Sequence, residues 1–151
     1  MHKILMICHG NICRSTMAEM VLKDMVRKRG VEYQFFIDSA ATSREEIGNG
    51  VHHGTRRKLA EVGIPCDDHR AKQVTKGDYE EFDYLILMDE NNMRNIKRII
   101  PSDPDGKISK LLQWAGREDS IADPWYTGNF DETYDDVVEG CEGLLKHILG
   151  E

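Results

Sequence analysis

Eight consecutive residues near the N-terminus, CHGNICRS at 8–15, combine a nucleophile with an anion-binding side chain. The loop from Cys8 to Arg14 is long enough to curl so that its backbone N–H groups point inward and form a nest for a tetrahedral anion. Gly10 and Asn11 tolerate the left-handed backbone angles that such a curl needs. Arg14 can bind a phosphate group through two parallel hydrogen bonds. The same positive field stabilises Cys8 as a thiolate, the form that attacks phosphorus.

The spacing of Cys8 and Arg14 alone occurs by chance in many proteins, so its context decides the interpretation. A short apolar segment, Lys3–Ile7, precedes the loop and predicts a buried strand. Apolar residues at helical spacing follow it within Ser15–Arg29. A helix that begins beside the loop adds its positive dipole end, and the Ser15 hydroxyl is placed to donate to the thiolate. The segment is therefore predicted to bind phosphate and to attack it.

Asp123 is the candidate proton donor, because displacing a phenolate or an alkoxide needs an acid. A proline and two aromatic residues, Trp125 and Tyr126, follow it. Partial burial by these aromatic side chains is expected to keep the carboxyl group protonated near neutral pH. Asp-Pro is also a common turn-forming pair on acidic surfaces, and only the presence of the Cys8 loop favours the catalytic interpretation.

Apolar runs alternate with amphipathic segments along the rest of the chain, without the in-out pattern of a half-exposed sheet. Strands are predicted at Phe35–Ile37, Tyr84–Met88 and Lys107–Ser109, and helices at about 54–62, at Glu90 to about Ile100, and from Tyr134 to Ile148. This order predicts an α/β fold, a three-layer sandwich with a central four-stranded parallel sheet flanked by helices. Ligands of such folds bind beyond the carboxyl ends of the strands, where the phosphate-binding loop follows the first strand.

Composition restricts the classes of function. The 151 residues carry a formal charge of −7, with 40% apolar and 31% charged residues, and are expected to form one domain over 1–151. The acidic balance disfavours a nucleic-acid binder. No segment approaches the ~20 apolar residues of a membrane span, and none is typical of a secretory signal. The expected location is the cytoplasm, where the four cysteines would stay reduced.

Four motifs, in this order, resemble those of the low-molecular-weight protein tyrosine phosphatases. They are CHGNICRS at 8–15, DSAATS at 38–43, MDE at 88–90 and DPWYTGN at 123–129, and the resemblance covers nearly the whole chain. It implies hydrolysis of phosphotyrosine and small aryl phosphates through a phosphocysteine intermediate on Cys8. Arg14 would bind the phosphate, and Asp123 would act first as general acid and then as the base that activates water.

The resemblance also implies roles for residues around the loop. Asn11 and Ser39 would form a hydrogen-bonded pair that holds the loop, His69 and Asp89 would brace it from behind, and Ser15 would steady the thiolate. Cys13 matches a second cysteine that can form a reversible disulfide with Cys8. The substrate- and phosphate-binding residues would be His9, Gly10, Asn11, Ile12, Cys13, Ser15, Glu45, Trp125 and Tyr126.

No cofactor is expected, and no metal is expected because His52, His53 and the other histidines lack ligand-like spacing to cysteine or carboxylate partners. Phosphotyrosine-containing proteins would be the substrates, and inorganic phosphate would be both product and inhibitor. Neither nucleic acid nor a membrane is an expected partner. The chain would be mainly monomeric, with weak self-association through Tyr126 left open. Glu45 stands where many relatives carry an aromatic residue, so the rim is expected to be acidic and to disfavour acidic peptides.

Three other functions stay open. An arsenate reductase shares this fold and loop, but it needs two further cysteines near 75–95, where this sequence has none. A protein-arginine phosphatase of the same family would carry Thr in place of Ile12. A phosphate-binding module or thiol redox sensor would lack the nucleophile or the acid, and both Cys8 and Asp123 are present.

Overall fold

A computed structural model describes the whole chain, residues 1–151, as a parallel sheet with helices on both faces. The strands are β1 (His2–Cys8), β2 (Phe35–Ala41), β3 (Tyr84–Leu87) and β4 (Ile108–Lys110), in the spatial order β2-β1-β3-β4. The α-helices are α1 (Arg14–Lys28), α2 (His53–Glu61), α3 (Gly77–Glu81), α4 (Glu90–Ile96), α5 (Pro124–Thr127) and α6 (Phe130–Leu149), with 3₁₀ turns at Glu32–Gln34 and Leu111–Ala115. None of these helices combines the length and the apolar character needed to cross a bilayer.

The central strand β1 is buried on both faces, which explains its continuous apolar sequence. Ile4 and Met6 belong to a core of 22 residues shared with α1 and α6. Leu5 and Ile7 point the other way into a core of 10 residues that includes side chains of α3 and α4. Burial on both faces removes the polar-apolar alternation of a surface strand.

Strand β1 lies at the switch point of the sheet, with β2 on one side and β3 on the other. One neighbour, β2, pairs with it up to Cys8 and Ala41, and the other, β3, pairs up to Ile7 and Leu87. The carboxyl ends of the three strands therefore meet at one edge of the sheet. Open parallel sheets bind ligands at this position, and the loop after Cys8 occupies it.

The structure corrects several predicted bounds. Strand β2 continues to Ala41 instead of ending at Ile37, because its polar residues Asp38 and Ser39 still pair with β1. Helix α4 ends at Ile96, short of the predicted Ile100. The short helices α3 and α5 were not predicted, since four or five residues are too few to show helical periodicity.

Candidate active site

The loop between β1 and α1 wraps around the sulfur of Cys8. Asn11 is the only residue other than glycine with a positive φ, at 59°, and it is fully buried. Its backbone N–H lies 3.4 Å from Cys8 Sγ, and the hydroxyl of Ser15 lies 3.0 Å from the same sulfur. The left-handed turn thus directs the Asn11 amide at the Cys8 sulfur, as an anion-binding nest requires.

The side chain of Asn11 holds this turn through both ends of its amide. Its Nδ2 donates to Ser15 Oγ at 2.9 Å, and the Cys8 thiol donates to the same oxygen at 3.0 Å. When Cys8 is a thiolate, the Ser15 hydroxyl can donate to the sulfur instead. Its Oδ1 accepts from the backbone N–H of Lys72 at 3.2 Å and lies 2.9 Å from His69 Nε2. Because an amide oxygen only accepts, His69 Nε2 must carry a proton here. Buried hydrogen bonds therefore fix a backbone conformation that would otherwise be unfavourable.

Ser39 does not pair with Asn11, contrary to the sequence expectation. Its hydroxyl instead donates to Oε1 of Glu19, a buried carboxylate whose Oε1 lies 3.7 Å from His69 Nδ1. The reason is register: Ser39 pairs with Met6, two residues before the end of β1, so it meets α1 rather than the loop. Glu19 was missed, although a carboxylate among the apolar residues of α1 is a signal of a buried charge.

Arg14, the first residue of α1, is buried near Cys8. Its Nη1 donates to Asp89 Oδ2 at 2.6 Å and to the carbonyl of Ile121 at 2.9 Å. Burial opposes its charge, but Cys8, Asp89 and Asp123 outweigh this effect and raise the pKa of the guanidinium group. Asp89 also caps α4 by accepting from the backbone N–H of Asn92 at 2.7 Å. Arg14 is thus a permanent, positioned cation.

Asp123 faces the same cation from a second loop. Its Oδ2 lies 3.5 Å from Arg14 Nη2, while its Oδ1 caps α5 by accepting from the N–H of Trp125 at 3.0 Å. Asp123 is partly buried, as expected, but the two aromatic side chains that follow it are mostly exposed, Trp125 at 60% and Tyr126 at 85%. Both residues lie in α5, beyond the capped Asp123, and extend into solvent. The carboxyl group is about one quarter exposed beside Arg14.

A cavity of about 280 Å³ opens between the two loops. Its lining residues are Cys8, His9, Gly10, Ile12, Cys13, Arg14, Glu45, Glu46, Asp123, Trp125 and Tyr126. The rim has an acidic side at Glu45, whose Oε2 lies 2.8 Å from His9 Nε2, and an aromatic side at Trp125 and Tyr126. Asn11 and Ser15 lie behind this lining. Glu46 was not expected there, since nothing in its local sequence distinguishes it from other surface carboxylates.

Comparison with known proteins adds to this geometry. A family model described as "Low molecular weight phosphotyrosine protein phosphatase" matches residues 3–151. The chain belongs to this family. Low molecular weight protein-tyrosine-phosphatase YfkJ of Bacillus subtilis is 39% identical over 153 aligned positions, which cover all of this chain and 98% of that protein. The predictions of the family, the activity class and the enzyme class are confirmed by these matches.

Solved structures of relatives have the same fold. The crystal structure of YfkJ superposes with a TM-score of 0.94 at 38% identity, over 99% of this chain and 96% of that one. A low molecular weight protein tyrosine phosphatase from Streptococcus pyogenes gives 0.87 at 40% identity, over 98% and 93% of the two chains. A Drosophila arginine phosphatase also gives 0.87, at 29% identity, over 97% of each chain. The predicted α/β class with a four-stranded parallel sheet is confirmed.

The two cysteines of the phosphatase loop lie in different environments. The sulfur of Cys8 accepts from the backbone N–H of Asn11. Cys13 is buried, and its Sγ accepts from the Thr55 hydroxyl at 3.2 Å. Burial raises the pKa of the Cys13 thiol to about 12, so this residue stays protonated at neutral pH. Cys13 is therefore a neutral part of the loop rather than a second thiolate.

The residues behind the loop include three potential metal ligands. Ligand atoms of Glu19, Asp38 and His69 lie within 4.8 Å of one another. Lys23 Nζ already pairs with Glu19 at 2.6 Å, and the ammonium group of Lys72 pairs with Asp38. These ammonium groups neutralise the carboxylates that a cation would need, so the arrangement is suited to bracing the loop.

Proposed function

We propose that this phosphatase hydrolyses aryl phosphate monoesters, phosphotyrosine in proteins above all, through a phosphocysteine on Cys8. The observation that supports this most directly is the position of the sulfur, which lies between the Asn11 amide and the Ser15 hydroxyl in a cavity shared with Arg14 and Asp123. A thiolate there attacks phosphorus while the loop amides and the guanidinium group stabilise the charge on the phosphoryl oxygens.

In the first step an S–P bond forms on Cys8 and the P–O bond to the phenol breaks. The proton on Asp123 moves to the leaving oxygen, so that no free phenolate is released. In the second step a water attacks the phosphocysteine and gives its proton to the Asp123 carboxylate. The S–P bond breaks, and inorganic phosphate leaves as the product. The 3.5 Å separation of Asp123 Oδ2 from Arg14 Nη2 supports a common position for both groups at the bound phosphate.

The cavity walls support a flat leaving group. Ile12 on the floor and Trp125 on the rim offer apolar contact for a phenyl ring. The acidic side, Glu45 and Glu46, favours substrates with basic residues near the phosphate and opposes acidic ones.

Phosphoarginine in proteins is the second candidate substrate, and the acidic wall is the observation that favours it. A guanidinium leaving group can pair with Glu45 or Glu46, and the chain resembles a Drosophila arginine phosphatase. Ile12 opposes this substrate, since it offers no polar contact. Matched phosphotyrosine and phosphoarginine peptides compared at equal concentration separate the two: we expect the higher kcat/KM for phosphotyrosine, and the reverse order would reassign the substrate.

We also propose a cellular location, an oligomeric state and a class of partner for this phosphatase. The chain would act in the cytoplasm as one phosphatase domain over 1–151, mainly as a monomer, on phosphoprotein substrates rather than nucleic acids or membranes. Its four unpaired cysteines support a reducing compartment. Inorganic phosphate would inhibit it by occupying the same nest.

Hydrolysis of 4-nitrophenyl phosphate by the wild type and by Cys8→Ser tests the proposed function. The assay contains EDTA and a reductant and covers about pH 4.5 to 8, because the acid and the nucleophile must both be in their active protonation states. We expect activity without metal in the wild type and a loss on the order of 10⁴-fold or more in the variant. Appreciable turnover by a folded Cys8→Ser would remove Cys8 as nucleophile.

A further inference from the structure

The start of α2, residues 52–55, contacts the nucleophile loop without lining the cavity. The backbone N–H of His52 donates to the carbonyl of Ile12 at 2.8 Å. The hydroxyl of Thr55 donates to Cys13 Sγ at 3.2 Å. Two consecutive residues of the loop, Ile12 and Cys13, therefore form hydrogen bonds to this segment.

The same segment contacts the loop that carries Asp123. The His52 ring meets the Trp125 ring edge-on, with 5.3 Å between centroids, and stacks on Phe130 at 5.6 Å and 17°. Trp125 has no other aromatic neighbour. The Phe130 ring packs closely against the backbone of α2 because residue 54 is glycine, where a Cβ would lie 2.2 Å from that ring. His52 thus joins α5 and the start of α6 to the nucleophile loop.

The orientation of the His52 ring is fixed from its own helix. Its Nδ1 accepts from the backbone N–H of Gly54 at 3.0 Å and so caps α2, which leaves the ring proton on Nε2. Burial and the neighbouring His53 lower the pKa of His52, although Asp123 and Glu46 act in the opposite direction. The neutral form, which alone can accept at Nδ1, is therefore favoured.

We propose that His52 is a positioning residue for the proton donor: by packing on Trp125 it holds Asp123 at the phosphate bound by the nucleophile loop. This inference rests on the proposed function, since it concerns the step in which Asp123 protonates the leaving group. Trp125 lies only two residues after Asp123, and its backbone N–H is bound to the Asp123 carboxylate at 3.0 Å. A displaced Trp125 would therefore displace the carboxyl group with it. Small misplacements of a catalytic group cost up to about 10²-fold in rate.

The test separates the ring of His52 from its capping function. His52→Asn keeps an acceptor for the Gly54 N–H but removes the ring, and His52→Phe keeps a ring but removes the acceptor. His53→Asn is the matched control, because His53 stacks on His52 at 4.3 Å but does not contact Trp125. Each variant is assayed on two substrates. Phenyl phosphate has a poor leaving group that needs a proton, whereas the dinitrophenolate of 2,4-dinitrophenyl phosphate leaves without one.

For His52→Asn we expect kcat/KM on phenyl phosphate to fall about tenfold and on dinitrophenyl phosphate to stay within about twofold. His52→Phe should recover most of the loss, and His53→Asn should match the wild type. Equal losses on both substrates would reduce His52 to a structural role, and no loss on either would overturn the proposal. Wild type without turnover would overturn the proposed function as well, so the two failures are distinguishable.

A second measurement does not depend on activity. The protein has two tryptophans, and Trp114 Nε1 donates to Ser109, far from His52 in sequence. In ¹H–¹⁵N spectra we expect His52→Asn to shift the indole signal of Trp125 and not that of Trp114. If this variant fails to fold, Phe130→Leu removes the stacking partner of His52 and should reproduce the leaving-group dependence. An unchanged Trp125 signal would contradict the proposed contact.

Discussion

The two loops that meet at the cavity differ in how they are held. The nucleophile loop is part of the core: Cys8, Asn11 and Arg14 are at most 3% exposed, and each has buried hydrogen-bond partners. The segment that carries Asp123, residues 121–126 (the acid loop), contributes only Ile121 to that core, while Asp123 is about a quarter exposed and Trp125 is mostly exposed. In the proposed mechanism, phosphate binding and nucleophilic attack would therefore depend on the interior of the fold, whereas proton transfer would depend on the more exposed acid loop.

The attachment of the acid loop consists of a few separate contacts. The backbone of Ile121 bonds to the Met88 carbonyl at 3.0 Å and accepts from Arg14 at 2.9 Å. The carbonyl of Ala122 accepts from the Thr133 hydroxyl at 3.2 Å. This difference predicts that damage to the nucleophile loop lowers activity on every substrate, while damage to the acid loop lowers activity only on substrates with poor leaving groups.

The largest effect in this comparison is expected for Arg14→Lys. Lysine keeps the charge but lacks the planar guanidinium group, whose two terminal nitrogens bind phosphate side by side and orient it. We expect kcat/KM to fall about 10² to 10³-fold on phenyl and dinitrophenyl phosphates alike. A loss confined to phenyl phosphate would mean that Arg14 acts through Asp123, and the proposed division between the loops would fail.

Asp123→Asn should have the next largest effect, and it should depend on the substrate. Asparagine can still cap α5 but cannot donate a proton, so kcat/KM on phenyl phosphate should fall about 10²-fold or more. The first step with dinitrophenyl phosphate should change little, since its leaving group needs no acid. Initial rates over a series of substituted phenyl phosphates measure this dependence, and an equal loss along the series would exclude Asp123 as the acid.

Asn11 offers a finer test of the nucleophile loop. In Asn11→Gly, glycine tolerates the positive φ but cannot form the side-chain hydrogen bonds of Asn11. In Asn11→Ala, alanine cannot form these hydrogen bonds either, and it is also strained at a positive φ. We expect both variants to lose activity on all substrates, and alanine to lose about 1 kcal/mol more of the free energy of unfolding than glycine. Denaturant melts and kcat/KM measure the two effects. Equal stability of the variants would mean that the strained φ is relieved elsewhere.

The smallest expected effect concerns the chemical reactivity of the two loop cysteines, Cys8 and Cys13. Because burial raises the pKa of Cys13 to about 12, this thiol should remain protonated and unreactive at pH 7. Iodoacetamide should therefore modify Cys8 and leave Cys13 intact, and inorganic phosphate should slow the reaction. Peptide mapping identifies the modified residue. Modification of Cys13 in the folded protein would show that its environment is more open than the contact with Thr55 indicates.

The same difference between the loops explains what the sequence could predict. The residues from Cys8 to Ser15 form their loop largely with neighbours in the chain, so their types and spacing, together with the flanking strand and helix, were sufficient to predict it. Asp123 needed context, because its partner Arg14 is more than a hundred positions away. Even there the sequence did not predict that the aromatic residues after Asp123 are mostly exposed.

Residues that act across the fold escaped prediction. Glu19 reaches Ser39 and His69 only because α1 packs on β2, and His52 reaches Trp125 only because α2 meets the acid loop. Each is an ordinary residue within its own segment. The resemblance paired Ser39 with Asn11, whereas in the structure Ser39 lies opposite Met6 and donates to Glu19 of α1.

The most direct test of the central claim is to trap the covalent intermediate. Asp123→Asn should accept a phosphoryl group from dinitrophenyl phosphate but hydrolyse it slowly, because the base that activates water is missing. Samples quenched during turnover are digested, and fragmentation mass spectrometry locates the phosphate within the peptide that contains Cys8, His9 and Cys13. We expect phosphate on Cys8 alone, close to one per enzyme molecule; phosphate on His9, or turnover without a phosphorylated Cys8, would exclude the phosphocysteine mechanism.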